Sequence, residues 1–287
     1  MARSQAAGPA PRLRAVVFES RGERRIGRLD GDIIVDTGPA GASGFIPTAR
    51  AWQQLRDGDG RCHALSSIRL HAPVRPPKIL AIGINYRDHA AESHNDEPDE
   101  PVVFAKFPSS VIGPDDTIVV PREETRPDYE GEMAVVIGRP TYRATRAEAV
   151  GAVGAVTALN DVSGRRAQLE TPLRQFTLGK SFDTFTPMGP CLVEPSGLDL
   201  GALELTTVLN GEKVQHASTG EMIHSVVDLI EYLSRGCSLE PGDVIATGTP
   251  GGVGNRRQPP RYLREGDVVE VTVSEVGTLR NPVTMER

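Results

Sequence analysis

Residues 128–138, with the sequence DYEGEMAVVIG, form the stretch around which this chain is organised. After Glu132 the stretch is a continuous apolar run, rich in β-branched residues and closed by Gly138, which predicts a buried β-strand. Because successive strand side chains point to opposite faces, Glu130 and Glu132 share one face. Two adjacent carboxylates repel each other unless a cation lies between them. Hard cations such as Mg²⁺, Mn²⁺ and Ca²⁺ prefer oxygen ligands, so the pair indicates either a metal site or two solvated acids at a strand end.

Composition limits the class of protein. The 287 residues carry a net charge of −6 with acidic and basic residues interspersed, so no basic stripe indicates nucleic-acid binding. Three widely spaced cysteines, Cys62, Cys191 and Cys237, form no C-x-x-C pair, which is typical of a reducing compartment. No apolar run approaches membrane-spanning length, and the N-terminus lacks the apolar core of a signal peptide. The sequence therefore predicts a soluble cytoplasmic protein that binds neither nucleic acid nor membranes.

The chain is predicted to divide into a tail and two domains. Residues 1–12 are small and polar and are predicted to be a disordered tail. Short strands at 13–18 and 33–35, with an amphipathic helix within 45–65, predict a small α/β domain over residues 13–73. The prolines at positions 73, 76 and 77 indicate a linker. Residues 74–287 then form the larger domain.

A histidine and a glutamate follow the first strand of the larger domain. Asn85 is placed to cap a helix over 86–92, because its side chain can accept an orphan backbone N–H. On that helix His89 and Glu92 are three residues apart and share a face. The next segment, residues 93–101, is acidic, bounded by prolines and without periodicity. It is predicted to be either a lid over the pair or an ordinary solvated connection.

Further polar side chains follow a second apolar run. Residues 155–159 predict a strand that leads into Asn160 and Asp161. Arg165 and Gln168 come four and seven residues after Asp161, which places them on one helical face.

Turn and helix signals organise the C-terminal third of the chain. The Asn-Gly pair at 210–211 predicts a hairpin, and Thr219 is placed to cap an amphipathic helix over 220–234. The glycine-rich loop 248–254 lacks the Lys-Ser/Thr pair of a phosphate-binding loop. It is therefore not a nucleotide-binding signature.

Five motifs in this order resemble those of the fumarylacetoacetate hydrolase family, over roughly residues 78–283. They are NYxxHxxE at 85–92, ExE at 130–132, NDVSxRxxQ at 160–168, GKSFD at 179–183 and GTPxGVG at 248–254. The resemblance implies an α+β, mostly β fold, in which a mixed β-roll catalytic domain with few helices follows a small, variable N-terminal domain. It also implies a homodimer and a divalent metal, Mg²⁺ or Mn²⁺ with Ca²⁺ as a further alternative.

The resemblance assigns roles to nine residues. It places the three metal carboxylates on Glu130, Glu132 and Asp161, and the catalytic groups on His89, Glu92 and Lys180. Lys180 offsets the negative charge of the three acids and can donate to a developing oxyanion. The resemblance places substrate contacts on Arg165, Gln168 and Thr249, although a structural salt bridge for Arg165 and a plain turn position for Thr249 are the alternatives.

The resemblance implies a metal-dependent hydrolase that cleaves a C–C bond in a 1,3-diketo acid of the acylpyruvate or fumarylacetoacetate type. In this hypothesis Glu92, with His89, takes a proton from water, which attacks the distal carbonyl of a small oxo-acid substrate. The same enolate-stabilising site serves isomerases of unsaturated 2-hydroxy diacids and decarboxylases of 2-oxo diacids such as oxaloacetate, and these are the alternatives within the enzyme class. A metal-binding protein without catalysis is the alternative outside it. Departures from the commoner family pattern at Gly164, Arg166, Cys191 and His224 leave the substrate open.

Overall fold

The computed structural model describes residues 12–287, and within that range the chain forms nineteen strands and five α-helices. The first ten strands are β1 (Arg14–Ser20), β2 (Glu23–Asp30), β3 (Ile33–Pro39), β4 (Cys62–Ala64), β5 (Leu70–His71), β6 (Ile79–Gly83), β7 (Val102–Lys106), β8 (Val111–Ile112), β9 (Ile118–Val120) and β10 (Pro127–Asp128). The other nine are β11 (Gly131–Ile137), β12 (Val153–Asn160), β13 (Ser163–Gly164), β14 (Thr186–Val193), β15 (Glu204–Leu209), β16 (Glu212–Ser218), β17 (Val244–Ala246), β18 (Val268–Val273) and β19 (Gly277–Met285). The helices are α1 (Ala49–Asp57), α2 (Arg87–Glu92), α3 (Arg146–Ala152), α4 (Phe176–Gly179) and α5 (Val226–Ser234), with a π-helical turn at Arg166–Glu170.

The strands assemble into mixed sheets. The largest has 12 strands, with the path β4-β3-β2-β1-β14-β12-β11-β17-β6-β7, from which β5 pairs with β1 and β8 with β14. A five-stranded sheet runs β16-β15-β18-β19-β9, and β10 pairs with β13. Most neighbours are antiparallel, but β17 and β6 are parallel. The predicted α+β, mostly β fold class is confirmed.

The N-terminal segment extends the large sheet. Strand β1 pairs antiparallel with β14, with Arg14 opposite Val193. Strand β2 was not predicted, because its sequence ERRIGRLD is too polar to give a clear alternation. The division into domains at 13–73 and 74–287 stays a prediction, and the predicted tail lies outside the described residues except for Arg12.

Strand β11 lies at the centre of the molecule and separates two cores. Met133, Val135 and Ile137 belong to one hydrophobic cluster, whereas Ala134 and Val136 belong to the other. This alternation follows from the period-two pattern of strand side chains. Every residue of β11 is buried, as its continuous apolar run predicts.

Two predicted helix caps are wrong. Asn85 does not cap α2: its amide donates to the carbonyl oxygens of Thr247 and His224, so the side chain joins separate segments instead. Thr219 does not start the long helix either. That helix begins at Val226, and its cap is Ser225, which forms a reciprocal capping box with Asp228.

The predicted hairpin is confirmed. Residues 210 and 211 connect β15 to β16 in a hairpin, and both have positive φ angles, 52° and 84°. Thr145 caps α3 in a capping box with Glu148. Among residues 12–287, no helix is both long enough and apolar enough to cross a membrane. The cytoplasmic location stays a prediction.

Candidate metal centre and active site

The register of β11 against β12 brings three carboxylates together. Glu132 is opposite Leu159 in the β11–β12 pair. Just beyond the ends of these strands, the Asp161 backbone N–H donates to the Glu130 carbonyl at 2.8 Å, so these two residues are also opposite each other. Residues opposite each other in an antiparallel pair share a face, so Glu130, Glu132 and Asp161 lie on one side of the sheet. One ligand oxygen from each lies within 4.8 Å of the others, and all three residues are buried. We refer to them as the carboxylate cluster.

The charges around the cluster divide its acids into two kinds. Burial alone would raise the pKa of Glu130, but the cations of Lys180 and Arg165 outweigh it and lower that pKa to about 2. Burial raises the pKa of Glu132 well above its usual range, and repulsion from Asp161 and Glu130 raises it further. Glu132 also accepts a hydrogen bond from the Gly248 backbone at 2.9 Å. Among the described residues, Glu132 is therefore the one acid of the cluster that forms no salt bridge of its own.

Lys180 is the cation that contacts the cluster on two sides. Its Nζ donates to Glu130 Oε2 at 2.5 Å and to Asp161 Oδ2 at 2.8 Å. These carboxylates outweigh the effect of burial and raise the pKa of Lys180. The side chain is 3% exposed, and the ammonium group lies 5.2 Å from the centre of the Phe104 ring. Lys180 is therefore held between two carboxylates of the cluster.

Arg165 and Gln168 lie beside the cluster but are bound mainly to protein groups. The Arg165 guanidinium donates twice to Asp128 Oδ2, at 2.9 and 2.7 Å, and once to Glu130 Oε1, at 2.6 Å. It also donates to Gln168 Oε1 at 2.9 Å. These contacts agree with the alternative in which Arg165 forms a structural salt bridge. The substrate role of Arg165 and Gln168 stays a prediction.

Asp128 is a further buried acid beside the cluster, outside the predicted site residues. Besides Arg165, it accepts hydrogen bonds from the backbones of Gly254 and Asn255 at 2.8 and 2.9 Å. It therefore ties the end of the glycine-rich loop 248–254 to β10, two residues before Glu130. The sequence did contain a signal for including Asp128 in the site, because Asp128, Glu130 and Glu132 stand at alternate positions.

His89 and Glu92 form a half-buried pair on α2. His89 Nδ1 lies 3.4 Å from Glu92 Oε2, and their side chains are 13% and 24% exposed. The Gly252 backbone donates to both Glu92 oxygens at 3.1 Å, which orients the carboxylate. Gly252 has a φ of 96°, and a Cβ there would collide with the Val214 carbonyl, so this position requires glycine. His89 lies near enough to Glu130 to contribute to the lowering of its pKa.

Thr249 is also held by protein groups. Its hydroxyl donates to the Gly131 carbonyl at 2.9 Å and accepts from the Gln215 amide at 2.8 Å. Gln215 in turn accepts from the Gly131 backbone at 2.9 Å and donates to the Pro250 carbonyl. Gln215 on β16 thus positions the loop, and no local pattern in its strand would have indicated this. The substrate role of Thr249 stays a prediction.

The residues at the cluster fit a hydrated divalent ion. Three buried carboxylates within 4.8 Å supply the oxygen ligands that hard cations prefer. Two neighbouring polar atoms, Tyr86 Oη and Asn160 Nδ2, are buried and have no hydrogen-bond partner among the described residues. Burial raises the pKa of Tyr86 and the nearby Glu132 raises it further, so this hydroxyl lies close to the cluster. Buried polar groups of this kind are satisfied by ordered water, which Mg²⁺ retains in its coordination shell.

Fold and site together define a family of enzymes. The family model described as fumarylacetoacetate (FAA) hydrolase C-terminal matches residues 78–284, and the chain belongs to this family. It is 45% identical to the oxaloacetate tautomerase YisK of Bacillus subtilis (strain 168) over 227 residues, which cover 77% of this chain and 75% of that protein. It is 42% identical to the mitochondrial oxaloacetate tautomerase FAHD2A of Homo sapiens over 220 residues, covering 76% of this chain and 70% of that protein.

A solved structure supports the same placement. The 5-carboxymethyl-2-hydroxymuconate delta-isomerase of Mycobacterium smegmatis matches with a TM-score of 0.80 and 33% sequence identity, covering 96% of this chain and 99% of that one. The predicted family is therefore confirmed. The names of these proteins are those of tautomerases and an isomerase. They do not confirm C–C bond hydrolysis, and they favour the isomerase alternative over it.

Proposed function

We propose that this protein is a metal-dependent tautomerase that interconverts the keto and enol forms of a 2-oxo diacid of the oxaloacetate type. The observation that carries the proposal is the division of the site into two parts. The Glu92 carboxylate is half-buried and can be reached by a small molecule. Lys180, in contrast, is buried and protonated and lies against the carboxylate cluster. The curated relatives named oxaloacetate tautomerase support this substrate class.

Glu92 is the base in this proposal. In the keto form a proton leaves the carbon between the oxo group and the distal carboxylate, and in the enol form a proton is found on the oxo oxygen. The reaction consumes no water and breaks no C–C bond, so it needs only a positioned base and a donor. Gly252 orients Glu92, and His89 at 3.4 Å can share the proton that Glu92 takes up.

Lys180 serves the oxygen side of the same reaction. Negative charge develops on the oxo oxygen as the carbon loses its proton, and a buried ammonium group stabilises that charge more strongly than one in water. Because the pKa of Lys180 is raised, the residue is charged at neutral pH and can donate to that oxygen. Its two carboxylate partners fix the direction of its remaining N–H group.

Glu130, Glu132 and Asp161 are the residues that would hold the divalent ion, Mg²⁺ or Mn²⁺. Such an ion polarises an oxo group and offsets the charge of a dianionic substrate. Ca²⁺ shares the preference for oxygen ligands and is a weaker candidate, because it takes more ligands than three carboxylates supply.

Ultraviolet absorbance of the enol form tests the proposal directly. With Mg²⁺ or Mn²⁺ present, the protein should speed equilibration of oxaloacetate by at least about a hundredfold over buffer, the lower range for general-base catalysis. Pyruvate formation, measured in parallel, separates decarboxylation, and a panel of acylpyruvates separates hydrolysis. Cleavage of an acylpyruvate without tautomerisation of oxaloacetate would contradict the proposal and restore the hydrolase hypothesis.

The predicted homodimer remains part of the proposal, and one surface supports it. Strand β7 is the edge of the large sheet, and Val102, Val103 and Phe107 are exposed there. Helix α4 packs beside this edge, with the Phe104 and Phe176 rings 6.2 Å apart, and Leu173 nearby in sequence is 90% exposed. An exposed apolar sheet edge is typical of a surface that pairs with another chain.

Light scattering measures the dimer. Leu173→Asp should shift the protein toward monomer, and Tyr142→Asp, at an exposed hydrophobic residue that belongs to neither β7 nor α4, is the control. A wild-type monomer at assay concentrations would contradict the dimer without affecting the proposed chemistry.

A further inference from the structure

Lys106, the last residue of β7, is a buried lysine to which the family resemblance assigned no role. It is 1% exposed. Its Nζ donates to Asp161 Oδ1 at 2.6 Å, to the Phe185 carbonyl at 3.2 Å and to the Lys180 carbonyl. Three acceptors match the three N–H donors of an ammonium group. Lys106 therefore joins β7, the end of β12 and the segment around Lys180.

Asp161 consequently carries a lysine on each of its oxygens. Lys106 binds Oδ1 and Lys180 binds Oδ2, at 2.6 and 2.8 Å. The two ammonium groups together determine both the rotation of the carboxylate and the position of its free lone pairs. The contact with the Lys180 carbonyl extends the same constraint to the backbone of the catalytic lysine.

Burial excludes Lys106 from contact with a substrate. With its side chain 0% exposed, and with a carboxylate and two backbone carbonyls around the ammonium group, it has no path to a bound small molecule. Any effect on the site must act through Asp161 and Lys180. Lys106 also belongs to a network of buried charges. The acids of this network are Asp128, Glu130, Glu132 and Asp161, and its cations are Lys106, Arg165 and Lys180.

We propose that Lys106 is a positioning residue that fixes Asp161 as a metal ligand and Lys180 as a donor. This inference rests on the proposed metal-dependent function. Two physical effects of removing Lys106 have opposite signs, which makes the proposal testable. Removal of a positive charge beside the cluster should tighten the binding of a cation by Coulomb attraction alone. Loss of the donor that orients a ligand carboxylate should weaken it, by about 10- to 100-fold for residues that support metal ligands.

Calorimetric titration of the full-length protein with Mn²⁺ decides between these effects. Lys106→Met, which keeps the length and removes the charge, should bind Mn²⁺ at least about tenfold more weakly than the wild type. Lys106→Arg keeps the charge but cannot reproduce the same three contacts, and it should also weaken binding. The electron paramagnetic resonance spectrum of bound Mn²⁺ should broaden or change shape in both variants, because it reports ligand geometry and not protein stability.

Lys78→Met is the matched control. Lys78, which is partly exposed, also forms an ion pair with a buried aspartate, Asp243, but neither residue belongs to the network around the cluster. The control should lose thermal stability without a change in Mn²⁺ affinity or spectrum.

The possible results separate this inference from the function on which it rests. Unchanged or tighter Mn²⁺ binding by Lys106→Met would refute positioning and leave only a charge effect, and wild-type affinity with an unchanged spectrum in Lys106→Arg would refute the need for the three lysine contacts. If Lys106→Met does not fold, Lys106→Arg decides alone, and Lys106→Gln replaces either variant under the same expectation. Absence of Mn²⁺ binding by the wild type would instead refute the metal centre itself.

Discussion

The carboxylate cluster and the His89–Glu92 pair lie in one site but are supported in different ways. Glu130 and Asp161 are 7% and 1% exposed at the side chain, and they are fixed by the register of two long central strands and by buried cations. His89 and Glu92 are 13% and 24% exposed and belong to a six-residue helix without a side-chain cap. Rigid support suits metal ligands, whose geometry must be preformed, whereas a base that meets an entering substrate needs access to solvent.

The two regions also differ in the number of buried cations around their acids. Three buried cations surround the cluster, whereas Glu92 is oriented by a backbone N–H and by a histidine. Charges within the cluster are therefore strongly coupled, and removal of one should affect ion binding and chemistry together. Removal of Glu92 should affect chemistry alone.

Glu132→Ala should abolish both divalent-ion binding and turnover while the fold is retained. It removes one of three anionic ligands from an ion that keeps several waters, which leaves too few protein oxygens to hold it. Calorimetry with Mg²⁺ and Mn²⁺, with circular dichroism to verify folding, measures the effect. Glu123→Ala, at an exposed position, is the control. Undiminished ion affinity in Glu132→Ala would remove the metal site from this cluster.

Glu92→Gln should reduce tautomerisation by about 10²- to 10⁴-fold, the usual range for removal of a general base. Glutamine keeps an acceptor for the Gly252 backbone, so the loop should stay in place. Metal affinity should match that of the wild type, because Glu92 is not among the three carboxylates of the cluster. A parallel loss of ion binding would show that the two parts of the site are not separable. A near-normal rate would show that Glu92 is not the base.

The raised pKa of Glu132 predicts that ion binding strengthens with pH. Burial, reinforced by Asp161 and Glu130, keeps this acid protonated in the ion-free protein to a higher pH than an ordinary glutamate. A metal ion needs the ionised form, so binding expels the proton, and affinity should rise by up to about tenfold per pH unit below the raised pKa.

The same shift has a consequence for stability. A folded-state pKa above the unfolded value means that the ion-free protein loses stability as pH rises from the unfolded pKa of Glu132 through the folded one. Stabilisation by Mg²⁺ should therefore increase over that window. Calorimetry in two buffers of different ionisation enthalpy counts the released protons. No proton release at any pH above the ordinary pKa of a glutamate would contradict the shift.

The two regions also differ in how far the sequence predicts them. Strand alternation predicts from local sequence that Glu130 and Glu132 share a face, and Asp161 follows a second apolar run, but the family resemblance was needed to join the three as metal ligands. Lys106 and Gln215 could not be found this way, because each acts through contacts with segments more than thirty residues away. Asn85 shows the same limit, since its local signal as a cap is overridden by the carbonyls of Thr247 and His224.

The start of α5 could have been predicted correctly from the sequence. Ser225 and Asp228 have the spacing of a capping box, and they outweigh the single threonine at 219 as the start of α5. The roles of Arg165, Gln168 and Thr249 came from the family resemblance alone. Their contacts with protein groups leave those roles as predictions.

The smallest expected effect concerns residues 93–101, the predicted lid. They follow α2 directly and are held by a few polar contacts: the His224 ring donates to the Pro98 carbonyl at 3.0 Å, the Tyr232 hydroxyl lies 3.4 Å from Glu100, and Arg87 lies 3.6 Å from Glu97. Such exposed contacts contribute little stability, so the segment should open without unfolding the sheet. Oxalate with Mg²⁺ occupies the space of a 2-oxo acid and should slow amide exchange several-fold across residues 86–101. The hairpin of β15 and β16 is the internal control and should exchange equally in both states. Equal protection of residues 86–101 with and without oxalate would show that the segment is an ordinary connection, and the His89–Glu92 pair would then be permanently open to solvent.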